Sequence, residues 1–223
     1  MRKIVILGLV GVLALFLAGC GGGGNSEPVV TTFIDSDLTL DADLTLDLVG
    51  GGTPLLALAS TNGNVLAGVT VDPGGTPVAD TRGFLIFPLS SVPLNASIRF
   101  ASVTVFLNQV TLGISFLPTP FFIDLIDTTA FPPPVQPTDY SVALAATRTF
   151  DFINSDQGKL VEIVVTSLMQ EAQARGLPSF EVRLGFDEDA FNADINTTRG
   201  LVEIDDRVLA PSQRPFLTVD YVN

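Results

Sequence analysis

Asp37-Leu38-Thr39-Leu40-Asp41-Ala42-Asp43-Leu44-Thr45-Leu46-Asp47-Leu48 decides the fold class. Every even position is apolar and every odd one is Asp or Thr. Successive side chains of a strand point to opposite faces, so this pattern predicts a β-strand with one buried face and one polar face. Alternate aspartates would stand about 6.6 Å apart along the polar face. The segment repeats Asp-Leu-Thr-Leu-Asp at 37–41 and 43–47, too briefly for a solenoid. An ordinary solvated face explains the aspartates, and a cation held with a neighbouring strand is the alternative.

Further strands are predicted at Leu55–Ala59, Val65–Asp72, Gly83–Leu89, Ser97–Asn108, Phe121–Asp127, Ser141–Phe152, Leu160–Thr166, Phe180–Phe186, Leu201–Asp205 and Phe216–Val222. Asn62-Gly63, Pro73-Gly74-Gly75 and Pro132-Pro133-Pro134 separate them. Such a series predicts an all-β antiparallel sandwich, because alternating β and α units would need helical periodicity between the strands. One short helix is expected. Ser167 and Gln170 have capping-box spacing, Leu168 and Ala172 share a face, and Gly176 before Pro178 ends it.

Composition removes whole classes of chemistry. The chain has no histidine, so Ser-His and Cys-His nucleophile systems and the usual zinc sites are excluded. It has no tryptophan and two tyrosines, Tyr140 and Tyr221, which leaves few aromatic platforms for sugars. The 16 phenylalanines are read as core. Carboxylate chemistry of the glycosidase kind remains, but among 24 acids some pair always has a suitable spacing. The expectation is therefore no enzymatic activity. A net charge of −13 excludes nucleic acid, whose phosphates require Lys/Arg patches. The same charge disfavours docking on anionic lipid headgroups.

The N-terminus has the parts of an export signal: Arg2 and Lys3, then an uncharged apolar run from Ile4 to Leu17. It closes with Leu17-Ala18-Gly19-Cys20, which resembles the lipobox of bacterial lipoproteins. The resemblance implies cleavage before Cys20, diacylglycerol on its thiol and a further acyl chain on its amine. Two or three chains make a stable anchor where one does not. An ordinary signal peptide or a transmembrane helix is the alternative, but the run falls short of the roughly 20 apolar residues of a span. Cys20 is the sole cysteine, so no internal disulfide is possible. Residues 1–19 are thus read as signal, 20–30 as lipidated cysteine and glycine-rich tether, and 31–223 as one domain. Gly21 stands where inner-membrane retention signals carry aspartate, and by that resemblance the destination is the outer membrane.

Three stretches resemble the DNRLRE-type domain, a jelly-roll β-sandwich of bacterial surface proteins related to some carbohydrate-binding modules. They are Thr81 to Pro93 with Ala96-Ser97-Ile98 and Ala101 to Leu107, Val161 to Leu184, and Pro215 to Tyr221. The likeness in order and spacing runs over roughly Thr31 to Tyr221. It implies a jelly-roll-like sandwich with a role in sugar binding or surface assembly. Pro88 stands where the family carries aspartate, and a proline there predicts an edge or a bulge. The family's tryptophans are missing.

One loop has the composition of a cation site. Asp187-Glu188-Asp189 leads into Asn192, Asp194, Asn196, Thr198 and Glu203, which occupy positions one, three, five, seven and twelve of an EF-hand-like loop. Thr197 stands where that loop needs glycine, and Glu203 reads as strand. A calcium site of β-sandwich type over Asp187, Asp189, Asn192, Asp194, Asn196 and Glu203 is one expectation, and a solvated loop is the other. Phe131 with Pro132–Pro134 reads either as a rigid apolar ridge or as a stiffened loop. The resulting functional expectation is a lipid-anchored, non-catalytic interaction or assembly module of the cell envelope. It would bind an envelope protein or a polysaccharide, with a carbohydrate-binding module as the alternative and a glycan-active enzyme third.

Overall fold

A computed structural model of the protein describes residues 27–112, 119–142, 145–186, 200–206 and 211–223. Twelve strands account for most of them. They are β1 (Val30–Asp35), β2 (Ala42–Asp47), β3 (Leu55–Leu58), β4 (Asn64–Val71), β5 (Pro77–Pro88) and β6 (Ser97–Leu112). The second half holds β7 (Thr119–Leu125), β8 (Ala146–Phe152), β9 (Leu160–Val164), β10 (Ser179–Phe186), β11 (Gly200–Asp205) and β12 (Phe216–Val222). Helix α1 (Ala59–Asn62) is a single turn, and α2 (Thr166–Arg175) is the predicted helix. The expected class, an all-β antiparallel sandwich with a short helix, is what the chain adopts.

The strands form one hydrogen-bonded sheet in the order β1-β12-β6-β11-β4-β5-β10-β7-β8, with β2 and β3 added at β5 and β9 at β6. Two long strands make it curl. Thr81 of β5 pairs with Thr45 across one edge and Gly68 across the other, while Gly83 pairs with Asp43 and Leu184. Hence β4 and β10 share one edge of β5 in succession, and β2 takes the opposite edge. Likewise Ser102 of β6 lies between Thr218 and Val164, and β11 takes over farther along the strand. The twist of strands this long turns the two ends of the sheet toward each other.

Alternation along the strands fills the space between the layers. Leu85 and Phe87 of β5, Val103 and Val105 of β6, Phe121 and Ile123 of β7, and Phe180 and Val182 of β10 are buried in one core. Each such side chain contributes roughly 1.5–3 kcal/mol of transfer free energy. Six of the phenylalanines, Phe84, Phe87, Phe121, Phe152, Phe180 and Phe186, are buried, whereas Phe33 is exposed; Phe121 meets the rings of Phe150, Phe152 and Phe186 at centroid distances of 5.0–6.2 Å. Leu168, Met169 and Ala172 of α2 enter the same core. Gly176 ends α2 with φ 64°, the left-handed conformation that glycine adopts without a Cβ penalty.

A second, smaller core lies on the opposite face of the sheet. Phe84 and Ile86, the alternates of Leu85 and Phe87, pack with Ala42, Leu44, Val135 and Tyr140. The connection from β7 to β8, residues 126–142, thus crosses the outer face as a strap. Its short 3₁₀ turn, Pro137–Ser141, carries buried Asp139 and Tyr140.

Several expectations need correction. The strand predicted over 37–48 is paired only from Ala42 to Asp47. Its first half is a turn, because Asp37 Oδ1 accepts from the Thr39 amide (3.0 Å) and hydroxyl (2.6 Å) and the Asp41 N–H donates to Asp37 O (2.9 Å). The polar face is solvated only at its ends, where Thr39 and Asp47 are exposed: Asp41 and Asp43 are buried, and Thr45 is half-buried with its hydroxyl 3.0 Å from that of Thr81. Leu48, on the predicted apolar face, is exposed. Strand β1 and helix α1 were not expected. Ser167 does not cap α2, whose N-cap is Val165 without a side-chain bond. The Thr166 hydroxyl accepts instead from the Ala101 N–H at 3.0 Å. Pro88 marks no bulge: it ends β5 opposite Ser179 of β10, beyond the reach of β2, where the strand is paired on one side only.

Candidate functional site

The strap is fixed to the sheet by a buried ionic network. On β10 the residues facing it are Glu181, Arg183 and Gly185, alternating with core Phe180, Val182 and Leu184. Arg183 donates from Nε and Nη2 to Asp124 Oδ2 of β7 at 3.1 and 2.8 Å. Its Nη1 reaches the backbone oxygens of Tyr140 (2.9 Å) and Asp139 (3.3 Å). Asp124 Oδ1 accepts from the Thr147 hydroxyl at 2.7 Å. Such pairing is what a buried charge requires. Arg82 of β5 adds a bond from Nη1 to Tyr140 O at 2.5 Å and lies over the Tyr140 ring, 4.1 Å from its centroid. The Tyr140 hydroxyl donates to Asp80, and burial together with that carboxylate pushes its proton affinity up. Gly185 is required by contact: a Cβ there would strike the Phe122 ring.

Glu181 shares this face and has no basic partner among the described residues. Burial, with the Asp139 carboxylate nearby, raises its pKa to about 8, and Oε2 has no hydrogen-bond partner. It is held as the neutral acid near pH 7.

A second polar centre lies where the β1–β2 turn meets the end of β11. Asp41 and Asp206 are fully buried, and Ser36 is nearly so. Asp41 Oδ1 accepts from the Ile86 N–H at 2.7 Å. Burial and the Asp206 carboxylate hold the Asp41 pKa well above the carboxylate range, and burial raises that of Asp206 to about 6. Asp43, buried beside them in sequence, is raised to about 6 by burial, which the Leu66 N–H only partly offsets.

The residues singled out from the sequence fare differently. Cys20 and the loop residues Asp187, Asp189, Asn192, Asp194 and Asn196 lie outside the described residues. Glu203 is in mid-strand on β11, backbone-paired with Leu66 and Gln109, and its Oε1 accepts from Asn108 Nδ2 at 2.6 Å. The four aspartates of 37–48 line no common face: Asp37 and Asp47 close turns, while Asp41 and Asp43 are buried. Phe131 and Pro132–Pro134 belong to the strap, which turns Val135 into the second core. Sequence reading missed Ser36, Glu181, Arg183 and Asp206. Glu181 and Arg183 left a trace, two charges alternating with apolar residues inside a predicted strand. Ser36 and Asp206 left none.

Two surface features are apolar. A groove of about 560 Å³ lies between the turn after β5 and the end of α2, lined by Leu89, Val92, Leu94, Leu177 and Pro178 with Gln173. Val49, Leu55 and Leu56 stand exposed around the β2–β3 connection. Among the described residues, no helix is long and apolar enough to cross a membrane. No group of three or more His, Cys, Asp or Glu side chains converges among them either. The chain matches no protein-family model and no curated protein.

Proposed function

We propose that the protein is a non-catalytic interaction or assembly module of the bacterial cell envelope, tethered through lipid on Cys20 and delivered to the outer membrane. The observation that carries the non-catalytic reading is the seclusion of its unusual acids. Asp41, Asp43, Glu181 and Asp206, the described carboxyls with raised pKa, are all buried. A general acid must reach the proton acceptor it serves. The groove and the β2–β3 connection both expose apolar side chains, which suits binding. The lipobox-like Leu17–Cys20 stretch and the likeness to DNRLRE-type surface domains supply the envelope context.

The test has two arms. Membrane fractionation with intact-mass analysis should find wild type acylated at Cys20 and Cys20→Ala released; an unmodified Cys20 in native protein refutes the anchor. Crosslinking in intact envelopes should yield one partner in fixed ratio to wild type and lose it in Leu94→Glu, whose new charge stands in the groove. Strong glycan-array binding without a protein partner would make the domain a carbohydrate-binding module instead. Turnover of any bound glycan would refute the non-catalytic reading.

A further inference from the structure

We propose that the outer face of the β1-β12-β6-β9 layer docks an arginine-bearing, apolar segment of a partner polypeptide. Strand register defines this face. In one row Phe33 of β1 stands beside Thr218 of β12, then Ser102 of β6 and Val164 of β9. In the next row Asp35 stands beside Phe216, then Thr104 and Glu162. Paired positions share a face, and these residues are the alternates of Ile34, Leu217, Val103 and Ile163 in the main core. Phe33 is 70% exposed, and Asp35, Glu162 and Val164 also meet solvent.

Rings and carboxylates stand together on it. The Phe33 and Phe216 rings meet edge to face with centroids 6.3 Å apart. Asp35 follows Phe33 by two residues and is the register partner of Phe216. A guanidinium stacks on an aromatic ring and pairs with a neighbouring carboxylate, which a neutral or anionic group does not. The carboxylates of Asp35 and Glu162 make no hydrogen bond or ion pair among the described residues. The basic residues in or beside these strands, Arg99, Lys159 and Arg214, occupy neither row. Beneath the rings the Ser102 hydroxyl is buried without a partner, a donor that the face itself leaves unused.

Spacing shapes the occupant. Asp35 and Glu162 are three strand spacings apart, about 14 Å, with Phe216 and Thr104 between them. Residues i and i+4 of an extended chain are about 13 Å apart on one side, with i+2 between them. An Arg-x-apolar-x-Arg segment therefore matches both carboxylates and the ring. A second copy of this chain fits poorly, because it would set like carboxylates against each other in a protein of net charge −13. The patch also measures only about 300 Å², against roughly 800 Å² per partner in a stable dimer. None of its residues lines the groove beside α2. The inference rests on the reading of the domain as an interaction module and names the partner's chemistry.

The experiment is fluorescence anisotropy of the mature chain carrying Cys20→Ala with the labelled peptide Ser-Thr-Arg-Thr-Leu-Thr-Arg-Thr-Ser, at about 150 mM salt to screen bulk charge. Wild type should approach saturation below about 1 mM peptide. Peptides with both arginines replaced by glutamate, or with the leucine replaced by serine, should bind about tenfold or more weakly. Phe33→Ser, a surface change, and Asp35→Asn with Glu162→Gln should each weaken binding about tenfold. Asp151→Asn removes an exposed charge on β8 and should change it by less than about twofold. No binding by wild type, undiminished binding by Phe33→Ser, or equal losses in Asp151→Asn and the face variants would overturn the proposal. So would a dimer in sedimentation equilibrium that Phe33→Ser dissolves, which would give the face to a second copy, or a neutral oligosaccharide that displaces the peptide. Loss of an envelope partner in Leu94→Glu is read separately from loss of the peptide in Phe33→Ser, so either reading can fail alone.

Discussion

Glu181 should make the protein lose stability as pH rises. Its carboxyl is 1% exposed and its pKa is raised from 4.5 to about 8 by burial and the Asp139 carboxylate. The native state therefore holds a proton that the unfolded chain releases. The stabilisation is complete below pH 4.5 and is lost as pH rises through about 8. The full shift corresponds to about 5 kcal/mol at 1.36 kcal/mol per pH unit. Between pH 5 and 8.5 the loss comes to about 4 kcal/mol. Glu181→Gln keeps the shape and removes the titration. Asp41, Asp43 and Asp206 bend the curve in the same direction, but both proteins contain them and the difference cancels their effect. Urea denaturation of both proteins at pH 5 and 8.5 measures it. Wild type should lose about 4 kcal/mol more than Glu181→Gln over that interval. Parallel pH dependences would refute the neutral, buried Glu181 and the packing of the strap that creates it.

Leu44→Asp should cost several kcal/mol in denaturant titration, because it puts an unpaired charge into the second core, whereas Leu48→Asp should stay within about 0.5 kcal/mol at its exposed site. Comparable losses would mean that the second core does not form. Arg183→Met should destabilise by about 3–5 kcal/mol by stranding the Asp124 carboxylate, and Arg183→Met with Asp124→Leu should recover much of it. No recovery in the double variant would place the cost in Arg183's bonds to the strap backbone. Gly185→Ala should cost about 1–3 kcal/mol in thermal melting, since its methyl meets the Phe122 ring, and Phe122→Leu should relieve it.

Much of this architecture is legible in local pattern. Period-two alternation and turn residues point to eleven strands, and their observed counterparts mostly begin and end within a few residues of the expected positions. The larger departures are β2, which begins at Ala42, β5, which begins at Pro77, and β8, which begins at Ala146 behind the strap. Burial of one face and hydrogen bonding along the ladder act residue by residue, so they leave a readable trace. Gly176 announced the end of α2 for the same reason: the left-handed turn is a property of one residue.

What alternation cannot report is what covers each face. Leu44 lies beneath the strap and not between the two layers, a fact that depends on where residues 126–142 come to rest. Asp41 and Asp43 have the composition of a solvated face, yet the return of β4, β5 and the end of β11 buries them. Polarity in the sequence signals water only when nothing else arrives. Asp206 comes from a segment far along the chain from Ser36 and Asp41, and no spacing links it to them. Their chemistry exists only after the sheet curls and removes the solvent that would otherwise satisfy their oxygens. Sequence determined which segments are strands and that the N-terminus resembles a lipoprotein signal. The tertiary structure alone decided which acids lose water, because desolvation belongs to the assembled fold and to no single segment of the chain.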